Sequence, residues 1–259
     1  MNRYTYDYYK FKKAFSQKTI AIIMIIITSL LGLNHASDKL NSNNTIHSIN
    51  VESYQKHPIH YLLPKYNEGD TYVVVNNNIP LFTNEDISTT DTYELYTELD
   101  ELHRVGPANA LLNQDMMPSE ERGKISHIKP SGWNQRKIHG NYLYHRSHLI
   151  GYQLSGQNDN PLNLMTGTWF FNREGMLPIE NFVAKHLEDN PDSYIRYRVT
   201  PLFIGNNLLA SGVFMEGFSV DDNGESVKFH VFIPNYLPGT DLNYSDGSVN
   251  IRSLLDWII

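Results

Sequence analysis

The 259-residue chain contains no cysteine. This absence excludes disulfides, thiolate nucleophiles and cysteine-based zinc sites. Any metal ion must therefore be held by histidine, by carboxylate or amide oxygens, or by the backbone. Oxygen ligands of this kind favour Mg²⁺, Mn²⁺ or Ca²⁺.

Positive charge is also scarce, since the formal net charge is −7. The first 36 residues carry +4, which leaves −11 for the remainder. An acidic body is the opposite of the usual electrostatic signature of a nucleic-acid binder. Between Ser119 and His148, however, six basic residues face two acidic ones, a net of +4. This basic window predicts either an anion-binding groove or an ordinary solvated loop.

The N-terminus has the order of an export signal: five basic residues, an uncharged apolar run from Thr19 to Leu33, and a polar exit. The run is long for a removable signal and short for a membrane span of about 20 residues. Residues 1–36 are therefore either a signal cleaved after Ala36 or a retained membrane anchor, with the rest of the chain outside the membrane. Residues 37–57, rich in Ser and Asn, predict a flexible spacer, and residues 58–259 a single domain.

Hydrophobic patterning predicts an α+β domain that opens with β structure. Residues 71–82 predict a hairpin or an adjoining strand pair, and residues 91–105 have a helical or long-turn pattern. Glu180–Glu188 predicts a short amphipathic helix that ends before Pro191. Three later segments, separated by turn-forming residues, predict antiparallel strands: 194–204, 208–218 and 227–234.

The densest group of chemically active residues lies between Tyr144 and Glu180. His148 is a suitable general base because the unperturbed imidazole pKa lies near neutral pH. The amide oxygen of Asn172 suits a hard cation that keeps most of its waters and leaves room for a substrate phosphate. With Arg146 and Glu180 present, the segment has the groups that phosphodiester hydrolysis needs. Taken alone, a histidine such as His148 is more often one that satisfies a backbone carbonyl.

The segment HRSHLIGYQLSGQNDNPLNLMTGTWFFN resembles the DNA/RNA nonspecific endonuclease family, in its branch of Gram-positive secreted and DNA-entry nucleases. The later segments GMLPIENFV, IRYRVTPLF and VFIPNYLPG extend the resemblance, which runs from about Tyr72 to Gly247. The hallmark of the family is Asp-Arg-Gly-His, and the corresponding residues here are His145-Arg146-Ser147-His148. The arginine and the catalytic histidine are kept. For His145, a tuning role and simple exposure are both open.

The resemblance implies that His148 activates water, that Asn172 binds the metal directly and that Glu180 holds it through water. Arg146 matches the arginine of the motif, for which we expect stabilisation of phosphate or transition-state charge, with a structural ion pair as the alternative. The implied cofactor is Mg²⁺, with Mn²⁺ as a substitute, and the implied products carry 5′-phosphates. The expected fold is a central twisted antiparallel sheet with flanking helices and a ββα-metal catalytic element at about residues 142–187.

Further substrate contacts are expected outside this element. They are Lys129, Arg136, Lys137 and Trp133 in the basic window, and Arg198 on a later strand. Trp133 is either a base-stacking residue or a core aromatic. Arg196 and Arg198 are interpreted as the outward polar face of one strand, and Asn163 as a turn-stabilising residue.

The predicted function is that of an extracellular, sequence-nonspecific, Mg²⁺-dependent endonuclease acting on DNA, with RNA undecided because phosphate contacts do not read the sugar. One alternative is a surface protein that binds or takes up DNA with little or no cleavage, since two hallmark positions are changed and the body is acidic. Another is a metal-stabilised adhesion module. The sequence does not determine the oligomeric state, and membrane contact is expected only through an uncleaved N-terminal segment.

Overall fold

The structure is a computed structural model that describes residues 63–88, 91–138 and 140–252. These residues belong to one compact unit, residues 50–259. The predicted export signal and spacer lie outside the described residues. Within the described ranges, no helix combines the length and the apolar character needed to span a bilayer.

The strands and helices alternate irregularly along the chain. The strands are β1 (Val73–Val74), β2 (Tyr93–Tyr96), β3 (Ala108–Leu112), β4 (Lys137–Ile138), β5 (Asn141–Tyr142), β6 (Tyr144–His148), β7 (Leu164–Thr168), β8 (Ile195–Leu202), β9 (Gly212–Ser219), β10 (Lys228–Pro234), β11 (Thr240–Leu242) and β12 (Val249–Ile251). The α-helices are α1 (Tyr152–Ser155) and α2 (Leu177–Asp189), and a π-helix (Phe171–Met176) leads into α2. Short 3₁₀ turns occupy Asn76–Asn78, Gln114–Met116 and Pro161–Asn163.

Six strands form the central sheet, in the spatial order β1-β10-β9-β8-β3-β2, and every neighbouring pair is antiparallel. The three long strands β8, β9 and β10 are rich in β-branched and aromatic residues, which favour a pleated, half-buried surface. One face of the sheet packs against α2 through Val183, Ala184 and Leu187. Burial of a side chain such as Leu187 contributes about 1.5–3 kcal/mol. The predicted α+β class with a central antiparallel sheet is confirmed.

The predicted catalytic element is present as a hairpin followed by a helix. Strand β6 pairs antiparallel with β7, so that His148 lies opposite Leu164 and Tyr144 opposite Thr168. The chain is helical from Trp169 onward through the π-helix and α2. His148 therefore lies at the end of a strand, and Asn172 near the start of the following helix, as predicted.

The prediction of a hairpin over residues 71–82 is wrong. Asn76, Asn77 and Asn78 all have positive φ, at 47°, 53° and 62°, a conformation that asparagine tolerates better than most residues. The chain therefore turns away from the sheet after two strand residues, and β1 pairs with the distant β10. Pro80 has no N–H group for a second strand.

The helical interpretation of residues 91–105 is also wrong. Residues 93–96 form β2, whose partner is β3. The strand is followed by a turn in which Arg104 donates to the carboxylate of Asp100 and His103 has a φ of 57°. The ladder with β3 holds this segment extended, with Leu95 exposed on one face of the strand.

Candidate active site

His148 is buried at the end of β6, with 6% of its surface exposed, and both ring nitrogens have partners. Its Nε2 lies 2.7 Å from the backbone oxygen of Asn158. Because a carbonyl only accepts, Nε2 carries the proton and donates. The guanidinium Nη2 of Arg122 lies 3.0 Å from Nδ1 and donates to it. The accepting lone pair of the neutral imidazole is therefore on Nδ1, where it accepts from Arg122.

Burial lowers the pKa of His148 to about 4; the hydrogen bond to Asn158 opposes this shift and the charge of Arg122 adds to it. Desolvation disfavours the charged imidazolium, so a buried histidine stays neutral. At neutral pH the ring is therefore neutral, which is the protonation state that a general base requires.

Thr168 fixes the start of the helix that carries Asn172. Its Oγ1 accepts from the N–H of Phe171 at 3.0 Å, as an N-cap side chain does, and its own N–H donates to the amide of Asn235 at 2.9 Å. The helix that carries Asn172 is thereby anchored both to β7 and to the segment that follows β10.

The π-helix brings Asn172 and Glu180 towards one face. In an α-helix, eight residues at ~100° each would leave the two side chains ~80° apart after two turns. The π turn hydrogen-bonds i to i+5, as Leu177 N–H does to the carbonyl of Asn172, and rotates less per residue. The angular offset between Asn172 and Glu180 is therefore reduced.

Glu180 packs against the chain just beyond β6. A Cβ atom built on Gly151 would lie 2.9 Å from the carboxyl carbon of Glu180, so a larger residue at position 151 would displace this carboxylate. Burial raises the pKa of Glu180 to about 7, and the nearby charge of Arg122 opposes the shift. The acid on α2 is thus held against a residue that lies three positions beyond His148 along the chain.

Asn172 and Glu180 fit a hard metal ion. Within the described part of the chain, neither the Asn172 amide nor the Glu180 carboxylate makes a side-chain hydrogen bond, so their oxygens are available as ligands. No group of three His, Asp or Glu residues suited to a metal occurs among the described residues. A site with one amide and one acid suits a cation that retains most of its waters, as Mg²⁺ does.

Arg146 holds a loop of the basic window. Its Nη2 donates to the carbonyl of Ser126 at 2.7 Å, and its Nε donates to the carbonyl of Ile128. Its guanidinium lies 4.1 Å from the ring centre of Trp133, which also packs on Tyr144. No described carboxylate forms an ion pair with Arg146, and its Nη1 has no hydrogen-bond partner among the described residues. Trp133 thus packs against the guanidinium of Arg146 and supports it.

The same loop is attached at two more places. Tyr152 donates its hydroxyl proton to the carbonyl of Glu120 at 2.7 Å, and Thr166 donates to the carbonyl of Ser131 at 2.8 Å. Arg122, which in the sequence is only one of the charges of the window, lies between these attachments. The contact that reveals its importance joins residues 26 positions apart, and no local pattern encodes it.

The other basic residues of the window lie at the surface. Arg136 donates to the carbonyl of Val249 at 3.1 Å, and the ammonium of Lys137 lies 4.9 Å from the ring centre of Tyr142. Lys129 is exposed. None of the three makes a described hydrogen bond to His148, Asn172 or Glu180.

The structure does not bring Arg198 to this site. Arg198 forms a two-pronged ion pair with Glu216, at 2.6 and 2.9 Å. Arg196 is buried, with 3% of its surface exposed, so the interpretation of an outward polar face is wrong. Tyr197, between the two arginines, lies close enough to Glu180 to feel its charge. Since successive strand residues point to opposite faces, the arginines lie on the face away from Glu180.

Two further residues of the motif region have identifiable surroundings. Asn163 is fully buried and pairs with both backbone groups of Ile150, at 2.9 and 3.0 Å, so its turn-stabilising role is confirmed. His145 is partly buried, and burial lowers its pKa to about 4, followed by the charges of Arg173 and Arg122. His145 is therefore neutral and surrounded by positive charge.

A histidine closing one strand of a hairpin, with an amide and a carboxylate on the helix that follows, defines the ββα-metal class of nuclease folds. A family model described as DNA/RNA non-specific endonuclease matches residues 83–220, more than half of the chain. The chain belongs to this family.

Individual relatives agree with this assignment. A deoxyribonuclease of Streptococcus dysgalactiae subsp. equisimilis is 32% identical over 121 residues, which are 45% of this chain and 36% of that protein. The chain thus spans about a third of that relative. NucA from Streptococcus agalactiae, solved with magnesium bound, is 27% identical with a TM-score of 0.63, covering 78% of this chain and 95% of NucA. The Sda1 nuclease, solved with zinc bound, is 27% identical with a TM-score of 0.55, covering 61% and 81%.

Proposed function

We propose that this protein is an exported, Mg²⁺-dependent endonuclease that cleaves DNA without sequence preference and leaves 5′-phosphates. RNA is a second substrate to test, because contacts to phosphate do not read the base. The observation that carries the proposal is the protonation state of His148, with the proton fixed on Nε2 by Asn158 and the lone pair on Nδ1. The magnesium-bound NucA and the deoxyribonuclease relative support the choice of metal and substrate.

His148 acts as the general base in this proposal. Its Nδ1 takes a proton from water, while the hydrogen bond from Nε2 to Asn158 keeps the tautomer and orientation of the ring. The carbonyl of Asn158 also stabilises the imidazolium that forms. Burial keeps the ring neutral until that moment.

The metal ion would be held directly by Asn172 and through water by Glu180. When bound, it would offset charge on the phosphoryl oxygens and on the leaving 3′ oxygen. Arg146 keeps the loop of Ser126 and Ile128 in place and has Nη1 left for a phosphate oxygen. Exposed Lys129, Arg136 and Lys137 contact more distant phosphates through charge alone.

The decisive experiment is cleavage of supercoiled plasmid by the full chain with Mg²⁺ or with a chelator. Loss of the base should lower turnover by about 10²–10⁴-fold in His148→Ala, since general base catalysis contributes that much. Asn172→Ala should raise the Mg²⁺ requirement more than Glu180→Ala, because one contacts the ion and the other only its water.

His127→Ala is the matched control, because His127 is an exposed histidine on the neighbouring loop. It should cleave like the wild type. Cleavage by His148→Ala at the wild-type rate would show that His148 is not the base. Wild-type cleavage that persists in the chelator would exclude a metal-dependent mechanism.

A further inference from the structure

Arg122 donates a hydrogen bond to Nδ1 of His148, the one nitrogen with which this histidine can act as a general base. The guanidinium Nη2 donates to Nδ1 at 3.0 Å, and Nε2 is already engaged by the carbonyl of Asn158 at 2.7 Å. A lone pair that accepts from a guanidinium cannot accept a proton from water at the same moment. In this arrangement the imidazole is correctly protonated but blocked.

The loop geometry places Arg122 there. Tyr152 holds the carbonyl of Glu120, two residues before Arg122, and Arg146 holds the carbonyl of Ser126, four residues after it. Between them, Gly123 approaches Asn158 so closely that a Cβ atom would lie 2.7 Å from its amide nitrogen. The contact with His148 is therefore set by a loop attached on both sides.

The hydrogen bond from Arg122 to the imidazole of His148 is weaker than those that a guanidinium forms with a carboxylate or a phosphate. No described carboxylate lies within ion-pair distance of it, and the imidazole that it contacts is neutral. A guanidinium forms shorter, stronger and often two-pronged hydrogen bonds with phosphate. The residue itself is exposed at the surface, where a nucleic-acid backbone can reach it.

We propose that Arg122 caps the general base in the resting enzyme and is drawn off it by a phosphate group of the incoming nucleic acid. His148 then becomes available to water only when substrate is bound. The same movement carries the positive charge of the guanidinium to the phosphate. This inference rests on the proposed function, because it takes His148 as the base.

The test measures the reactivity of His148 without any cleavage. The full chain in a chelator is treated with diethyl pyrocarbonate, which acylates unprotonated imidazole nitrogen, and labelling of the His148 peptide is followed by mass spectrometry. Arg122→Ala should label about tenfold faster than the wild type, the factor that corresponds to a charge-assisted hydrogen bond of about 1.4 kcal/mol. Inorganic phosphate should accelerate labelling of the wild type and leave Arg122→Ala unchanged.

Lys124→Ala is the matched control, since Lys124 is an exposed cation on the same loop, two residues from Arg122. It should label like the wild type, with and without phosphate. Labelling of the exposed His127 should be equal in all variants, which shows that the reagent acts equally on each of them. Arg122→Gln, which retains a donor without the charge, should not respond to phosphate.

Equal labelling of His148 in the wild type and Arg122→Ala would overturn the cap. Slower labelling of the wild type in phosphate would contradict the proposal that phosphate draws Arg122 away from His148. The anion would then bind while Arg122 still contacts Nδ1. Both outcomes are distinct from failure of the proposed function, which shows as plasmid cleavage by His148→Ala.

Discussion

Two pairs of arginines serve opposite purposes in this molecule. On the far face of the central sheet, Arg196 contacts Asp86 at 3.3 Å and Arg198 contacts Glu216 at 2.6 Å. At the candidate site, Arg122 and Arg146 contact an imidazole and two backbone carbonyls, and no described carboxylate pairs with either. The role of each arginine depends on the group that it contacts. A carboxylate neutralises the guanidinium charge, whereas a neutral acceptor leaves that charge available to an anion.

The difference explains how an acidic chain can attract a polyanion. A buried ion pair has no net charge to offer and mainly compensates the desolvation of its own members. An arginine bound to carbonyls keeps its full charge at the surface of the site. Local pairing therefore matters more than the net charge of −7.

The largest effect is expected on the sheet face. Arg198→Ala should lower the free energy of unfolding by about 3–5 kcal/mol, because it leaves Glu216 buried without its cation. Glu216 also accepts from the N–H of Leu81, so the segment that crosses this face should loosen. Urea unfolding measures this destabilisation. Plasmid cleavage per folded molecule should be unchanged.

A double variant distinguishes the loss of the Arg198–Glu216 ion pair from the effect of leaving one buried charge unpaired. Replacing Arg198 with Met and Glu216 with Gln removes both charges and should recover most of the stability. Equal stability of Arg198→Ala and the wild type would mean that the ion pair contributes little. If Arg198→Ala lost cleavage while keeping the stability of the wild type, Arg198 would have a role in the active site after all.

The hydrogen bond from Arg122 to His148 requires a neutral imidazole. We therefore expect an effect of pH on the free energy of unfolding, of intermediate size. The folded pKa is lowered to about 4 from the ordinary 6.5. As pH falls through this interval the unfolded chain binds a proton before the folded one, so the contribution is complete above about 6.5 and is lost towards 4. The decrease in stability is on the order of 2–3 kcal/mol.

The measurement is urea unfolding between about pH 4 and 7 in a chelator, the interval in which the linkage acts, comparing slopes between variants. Glu180 shifts in the opposite direction, so the difference between wild type and His148→Ala isolates the histidine. The wild type should lose stability more steeply on acidification, and His127→Ala should follow the wild type. Parallel curves for His148→Ala and the wild type would contradict the depressed pKa.

The smallest effect is expected from the exposed cations of the window. Changing Arg136 and Lys137 together to Ala should raise the apparent KM and reduce the salt slope of DNA binding by roughly one unit for each phosphate that is no longer neutralised. Stability and kcat should change little. Lys185→Ala, which removes a surface cation paired with Asp189, should leave the slope intact. An unchanged slope in the double variant would make the window a solvated loop.

The sequence alone predicts the elements with strong periodicity and the motif residues placed on them. The strands β8 to β10, helix α2 and the positions of His148 and Asn172 follow from apolar spacing and from the motif. The partners of the arginines do not. An Arg-Tyr-Arg alternation reads the same whether it faces solvent or a buried carboxylate, and Glu216 lies 18 residues from Arg198. Tertiary packing decides between them.

Backbone conformation is the second limit on prediction from the sequence. Three consecutive asparagines with positive φ divert residues 76–78 from the hairpin that their neighbours favour. Apolar β-branched residues predict a strand, but a left-handed turn overrides that preference. The wrong predictions for residues 71–82, residues 91–105 and Arg196 all lie outside the catalytic element, where the motif adds independent information.

The π turn before α2 determines how the number of residues between Asn172 and Glu180 relates to the angle between their side chains. A turn closed from i to i+5 contains one residue more than an α-turn, so the spacing from Asn172 to Glu180 includes a surplus residue. If one of residues 173–176 were removed, an ordinary α-helix would leave seven residue steps, or about 700°, between the two side chains, which is about 20° short of two full turns. The π turn therefore accommodates the additional residue while the side chains of Asn172 and Glu180 stay near one face, whereas the same eight steps in an ordinary α-helix would separate them by about 80°.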